Sequence, residues 1–384
     1  MKLKNILSVL CFLFIAVACS MEDDIMNDVD KEIQTSSEVY ATLGVSLATD
    51  GIQTRSAEYG DEEEAIGGEN TVTNCYVAVF EKESKRYLTS RLYQGGKEII
   101  SGSENQNLYN LGKSLVFKVS AKKEEHKDLL FVAVAHMNTV DYGETSSISK
   151  GIQNITDYSQ LMNFVLAEDP TVLVKVGTLI IEAKDFETYM NISSSMIDED
   201  GNALQGLTPI RIEVKQRAAA VMLESFKMER LNVKLDVTVE SIQLLNMVTS
   251  TNVEGYDKNL SFEDSVIRTI NETDQEGNII HREDLFKERF YTYEYPVVKT
   301  TKTKLRIGYS YKLNGKVETG FSEITIKSPG EDGAAVEEVR ANHLYKLNVM
   351  VKNGVVNVSI KCSTKDWVYS PDNDHNFEFT YSDK

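Results

Sequence analysis

The chain is poor in the residues that staple, stiffen or interrupt small secreted folds. Its 384 residues include four Cys, five Pro and one Trp. So few Cys exclude a disulfide scaffold. Cys11 lies in an apolar leader and Cys19 closes it, so only Cys75 and Cys362 remain for a folded body. One bridge between them is open, and two free thiols buried in apolar strands is the plainer reading. Five Pro and 22 Gly exclude a Pro-rich or Gly-rich low-complexity tract. Positive charge is also scarce: 41 Lys and Arg face 59 Asp and Glu, a formal net charge of −18. A phosphate backbone would repel such a surface, which argues against a nucleic-acid partner. The apolar stretch of the leader is too short to span a bilayer, and no second run of the length a membrane helix needs follows it.

Catalytic patterns are absent as well. There is no HExxH, GxSxG, P-loop or GxGxxG. His126, His136, His281, His343 and His375 are scattered, and none has a second His or Cys at metal-ligand spacing. His136 follows an apolar strand and reads as a satisfied strand-end residue. Asp198-Glu199-Asp200-Gly201 and Asp372-Asn373-Asp374 offer oxygen ligands, but neither completes a calcium loop. Both read as solvated turns. Neither an enzyme nor a cofactor is expected.

What the sequence does contain begins with an export signal at 1–19. Lys2 and Lys4 precede an apolar core from Ile6 to Val17, which ends in Ala16-Val17-Ala18-Cys19. A Cys directly after small residues resembles the bacterial lipobox, in which the thiol is lipidated and becomes the first mature residue. Residues 20–38 are polar and acidic, a tether. Val39, Ala41, Leu43, Val45 and Leu47 then alternate with Tyr40, Thr42, Gly44 and Ser46, the period of a half-buried strand. Thr49 to Asn70 is charged and turn-rich, so Arg55-Ser56 should be accessible.

Hydrophobic residues make up 41% of the chain, enough for real cores. Strand signals recur at Thr73–Phe80, Leu115–Val119, Leu129–Ala135 and Val172–Ile181. Between the last two, Tyr158, Leu161, Met162, Val165 and Leu166 fall at helical spacing, with Thr156 placed as the cap. A second set opens at Ile210, Ile212 and Val214 and runs through Leu344–Val351 and Val355–Ile360, which flank the hairpin signal Asn353-Gly354. The pattern predicts an all-β protein of two tandem β-sandwiches, 39–207 and 208–384, with one short helix in the first.

The C-terminal run Arg340-Ala341-Asn342-His343-Leu344-Tyr345-Lys346-Leu347-Asn348-Val349, followed by Val356-Asn357-Val358-Ser359-Ile360-Lys361-Cys362-Ser363-Thr364-Lys365-Asp366-Trp367, resembles the last strands of the major and minor fimbrillins, the type V pilins of Bacteroidota. Ala41 to Leu47 through Thr54-Arg55, then Val77 to Phe80, is similar to their N-terminal layout. Leu129–Met137 and Ile212–Ala218 with Arg217 resemble other parts, so the likeness covers most of the chain. The segment Val253–Arg282 has no counterpart.

The resemblance implies two transthyretin-like Greek-key sandwiches and an outer-membrane lipoprotein precursor carrying lipid at Cys19. It implies cleavage between Arg55 and Ser56 by an arginine-specific protease, then assembly with other fimbrial subunits by strand exchange on the cell surface. A host or bacterial surface ligand is the further partner. Donors in that family come from the C-terminal end. Here Phe377, Phe379 and Tyr381 alternate with polar residues after a polar break, which makes 375–384 the candidate donor strand, unless it pairs within its own sandwich. Burying the apolar residues of Val39–Leu47 is worth roughly 5–12 kcal/mol by area, an upper bound. Their removal would also leave two open strand edges. The competing reading is a lipid-anchored surface glycan-binding protein, which needs an exposed aromatic platform.

Overall fold

The computed structural model describes residues 38–50, 72–94, 99–100, 106–111, 114–137, 151–167, 170–194, 208–256, 261–273, 279–281, 288–296, 301–329, 335–353, 355–363 and 374–382. It is built of strands, with two short α-helices among the described residues. The first half holds β1 (Glu38–Leu43), β2 (Val45–Asp50), β3 (Asn74–Glu81), β4 (Tyr87–Gln94), β5 (Ile99–Ile100), β6 (Gln106–Asn110), β7 (Leu115–Ser120) and β8 (Leu129–Ala135). Helix α1 (Tyr158–Met162), β9 (Val165–Ala167), β10 (Lys175–Ile181), helix α2 (Phe186–Tyr189), β11 (Asn191–Ser193) and β12 (Ile210–Gln216) follow.

These strands form two layers. One has the order β11-β1-β7 and the other β4-β3-β8-β10-β12-β2-β6-β5. Ala41, Leu43, Leu115 and Phe117 from the first layer meet Val45, Leu47, Val77, Val79, Phe131 and Ile212 from the second in one core. Strands β3 and β8 are apolar without alternation because both their faces are covered. Cys75, Val77 and Val79 face the inner core, while Tyr76, Ala78 and Phe80 face a second cluster under α1 with Leu161 and Leu166.

The predicted helix is shorter than expected. It stops at Met162, and Val165–Ala167 is strand. Its cap is Asp157 rather than Thr156: the Asp157 carboxylate accepts from the Gln160 N–H at 2.8 Å. An ionised acceptor at that position is the stronger partner for a helix N-terminus.

The second half runs through β13 (Ala218–Arg230), β14 (Val233–Lys234), β15 (Val237–Leu245), β16 (Met247–Val248), β17 (Ser250–Asn252), β18 (Phe262–Glu263), β19 (Arg268–Thr269), β20 (Asn271–Thr273) and β21 (Ile279–His281). It continues with β22 (Phe290–Tyr293), β23 (Lys304–Leu313), β24 (Lys316–Thr325), β25 (Ser328–Pro329), β26 (Ala335–Val336), β27 (Leu344–Lys352), β28 (Val355–Ser363) and β29 (Asp374–Ser382). A sheet β14-β13-β27-β28-β29, with β22 also on β13, faces a sheet β19-β15-β23-β24 across the second main core. Asn353, at φ 52°, makes the turn between β27 and β28, as the Asn-Gly signal predicts. Asn314 and Gly315, at φ 50° and 77°, do the same between β23 and β24.

The division near 208 falls too early. Residues 210–216 alternate buried and exposed, and Ile210, Ile212 and Val214 complete the first core. The chain crosses to the second half at Arg217. Pro209 followed by a new alternation looks like a domain opening in sequence, but it marks the last strand of the first sandwich.

The halves also invade each other. Strand β17 pairs with β9, and Val253 is buried in the α1-side cluster of the first half. Leu173, held at φ 62°, is buried in the second core. Beside them Arg217 and Glu294 form a largely buried ion pair, and Glu294 also accepts from the Ala341 N–H at 3.2 Å.

Candidate functional site

The N-terminal run expected as one strand is two, β1 and β2, broken at Gly44. The alternation continues across the break because Gly44 sits at an outward position, so the pattern gives no sign of it. The break carries the chain from one layer of the sandwich to the other. In the first layer β1 lies between β7 (Glu38 opposite Ser120 through Leu43 opposite Leu115) and β11 (Tyr40 opposite Ser193 through Thr42 opposite Asn191). In the second layer β2 lies between β12, which it joins in parallel, and β6, which it joins antiparallel. At the crossing the Ile210 N–H donates to Gly44 O at 2.9 Å and the Leu111 N–H to Val45 O at 3.2 Å.

Ala41, Leu43, Val45 and Leu47 are buried together in the core. Val39 is only half-buried, next to Val119. The outward side of the run is not uniformly open. Glu38 is exposed and Tyr40 half-buried, yet Thr42 and Ala48 are fully buried. The Thr42 hydroxyl has no hydrogen-bond partner. An unmatched buried hydroxyl costs about 1–3 kcal/mol. This segment is therefore tightly enclosed without being fully satisfied, a feature that period-two reading cannot reveal.

At the Glu38 end the groove opens into a cleft of about 370 Å³. Leu88, Val119, Leu129 and Phe186 make its apolar lining, with Arg86 and Lys118 among its charged residues. Arg86 pairs with Glu81 at 2.6 Å, and that bond holds the Glu81 carboxyl below its ordinary value. The Lys118 ammonium lies 6.0 Å over the Tyr40 ring. One wall is braced by His126 stacked on Phe186, 4.9 Å between centroids, and by a Lys123–Glu187 ion pair.

Cys19, Arg55 and Ser56 lie outside the described residues, as do Asp198 to Gly201. Phe377, Phe379 and Tyr381 belong to β29, whose backbone lies opposite Ile360, Val358 and Val356 on β28, the outermost position of its sheet. Cys75 is a free thiol buried in the first core, and burial pushes its pKa up. Among the described residues no cluster of His, Cys, Asp and Glu could hold a metal ion, and no helix is long and apolar enough to cross a membrane.

No protein-family model matches the chain, and no curated protein matches it. Solved structures do. A candidate cell adhesion protein from Parabacteroides distasonis aligns with a TM-score of 0.51 at 13% identity, covering 88% of this chain and 96% of that one. A fimbrial assembly protein from the same species aligns with a TM-score of 0.47 at 13% identity, covering 88% and 100%. A fimbrilin from Porphyromonas gingivalis aligns with a TM-score of 0.42 at 9% identity, covering 88% and 96%. At such identities the likeness is one of fold. What is shared with the Parabacteroides cell adhesion protein is the architecture.

Proposed function

We propose that this chain is a structural subunit of a cell-surface fimbria that supports adhesion, exported as an outer-membrane lipoprotein through Cys19. Its role is architectural, not enzymatic. An arginine-specific protease cuts between Arg55 and Ser56, and the subunit then polymerises by exchanging strands. One observation carries the reading: residues 38–50 supply an interior strand to each layer of the first sandwich, yet they precede all the other described strands in sequence. Cutting the connection after Asp50 leaves that segment held by non-covalent contacts alone. A second strand that gains more can then take its place. The C-terminal strand with Phe377, Phe379 and Tyr381 is the proposed donor. It sits at a sheet edge, where leaving its own β28 opens one ladder only. The biological setting comes from the fold shared with the Parabacteroides cell adhesion protein.

The test is Arg55→Ala. This variant should accumulate uncut lipoprotein and form no polymer, whereas wild type yields subunits beginning at Ser56 and fibres visible by electron microscopy. Fibres from uncut Arg55→Ala subunits would overturn the reading. A lipid-anchored glycan-binding protein is the second reading, favoured by one residue. Phe321 on β24 is 66% exposed, with the Arg306 guanidinium 5.5 Å over its ring. Glycan binding that Phe321→Ala abolishes in a protein that never polymerises would establish it.

A further inference from the structure

We propose that the cleft at the Glu38 end of the groove is the landing site for an incoming strand from a second copy of this chain, the point from which the resident strand is displaced. The proposal rests on the strand-exchange reading above and adds where exchange begins. A strand enclosed between two neighbours is replaced rung by rung. The newcomer must gain contacts before the resident has lost its own, so exchange needs a loosely held end with apolar room beside it.

Among the described residues, the Glu38 end of the resident segment qualifies. Among the described residues β11 pairs with Tyr40, Ala41 and Thr42, while β7 runs on to pair with Val39 and Glu38. Glu38 is exposed, and Val39 and Tyr40 are half-buried. The opposite end is flanked on both sides almost to its last residue, by β12 through Thr49 and by β6 through Asp50. Between the ends, Ala41, Thr42, Leu43 and Ala48 are fully enclosed, which bars entry from the face.

The cleft lies against the loose end, since Glu38 is one of its lining residues. Its volume of about 370 Å³ and its lining of Leu88, Val119, Leu129 and Phe186 suit one large apolar side chain. Glu38 acts electrostatically on Arg86, and Tyr40 covers Lys118. Displacing the resident strand uncovers the Lys118 ammonium to the newcomer, while Arg86 keeps its Glu81 partner. The fitting occupant is an extended strand with a large apolar residue beside a carboxylate. The sequence Phe377-Glu378-Phe379 of a second copy has that character.

The test uses full-length protein cut at Arg55, with a fluorescent label on the N-terminal piece that ends at Arg55 and carries the resident strand (the leader), and a synthetic peptide of residues 374–384 as the probe. Leader release is followed against peptide concentration. The intercept reports spontaneous loss and the slope reports displacement. Leu88→Trp, which fills the cleft, should lower the slope about tenfold, the scale of one apolar side chain's contacts, and leave the intercept unchanged. Lys118→Glu should lower it about threefold, and a Glu378→Lys peptide should restore it. An unchanged slope in Leu88→Trp would sink the proposal. So would a fall of slope and intercept together, which would mean that the resident strand itself had tightened. A wild-type slope of zero, with peptide binding only after the leader has left, also overturns the landing site while sparing strand exchange. No peptide binding even to subunits that have lost their leader would bring down the strand-exchange reading as well.

Discussion

Leu43 is the side chain on which retention of the N-terminal segment should depend most. It is 0% exposed, lies opposite Leu115 and sits one residue before the crossing at Gly44. Replacing a buried Leu with Ala costs about 2.7–5 kcal/mol, the lost transfer energy plus the cavity. In a first sandwich of ordinary size, each kcal/mol lowers the melting temperature by about 2–4 °C, so Leu43→Ala should melt about 5–20 °C below wild type in the uncut protein. Once the chain is cut at Arg55, the same loss falls on the held segment alone. About 3 kcal/mol is a factor of about 100 in its retention, read as faster release of a labelled leader. Val39→Ala provides the comparison, because Val39 is half-buried and stands opposite Val119 on β7. It should cost about 1 kcal/mol or less. Thermal circular dichroism of the uncut proteins and leader release from the cut ones give two independent readouts. Equal losses for Leu43→Ala and Val39→Ala in both would refute the claim that the core face beyond Ala41 holds the segment.

Val253→Asp should destabilise the first sandwich by about 3 kcal/mol or more, because it puts a charge among Tyr76, Phe80 and Leu161. Wild type should melt in one calorimetric transition and this variant in two; two transitions in wild type would argue against coupled halves. His136 has its pKa lowered to about 4, first by burial and then by the charge of Lys175, so the unfolded chain takes up the proton first as pH falls. Its contribution to stability should be whole above about pH 6.5 and lost progressively toward pH 4. His136→Asn, which tolerates the φ of 58° there, should flatten that dependence in denaturant titrations, and an unchanged slope would contradict it. Cys19→Ala should leave a precursor that does not sediment with membranes and takes up no radioactive palmitate; normal labelling would discard the lipid anchor.

Much of the fold was legible because burial on one face leaves a plain mark. Ala41, Leu43, Val45 and Leu47 alternate in sequence and share one core in space. Asn353 announced its turn. The pattern failed where two structural causes give one signal. Gly44 carries the chain between layers without breaking the alternation, since an outward position tolerates any small residue. Ile210, Ile212 and Val214 look the same whether they begin one sandwich or close another, because only partners distant in sequence decide it. Val165 and Leu166 extend a helical spacing by chance, and their place opposite Asn252 and Thr251 is tertiary. The groove walls, the cleft and the Arg217–Glu294 pair join residues far apart in the chain and have no local signature. The covered outward face at Thr42 and Ala48 was likewise invisible, since polar or small residues at alternate positions ordinarily mean solvent.

The mutual invasion of the two halves has a mechanical meaning for a fibre. In the proposed polymer, pull enters each subunit through the strand seated in the first sandwich and leaves through the last strand of the second. Every unit of tension must therefore cross from one half to the other. A single covalent thread at Arg217 would let the halves swing, and stress would concentrate on that hinge. Val253 set into one half, Leu173 set into the other, and the β9–β17 ladder between them spread the load over several points in parallel. Each subunit then stretches as one stiff link, and the compliance of the fibre resides in the joints between subunits.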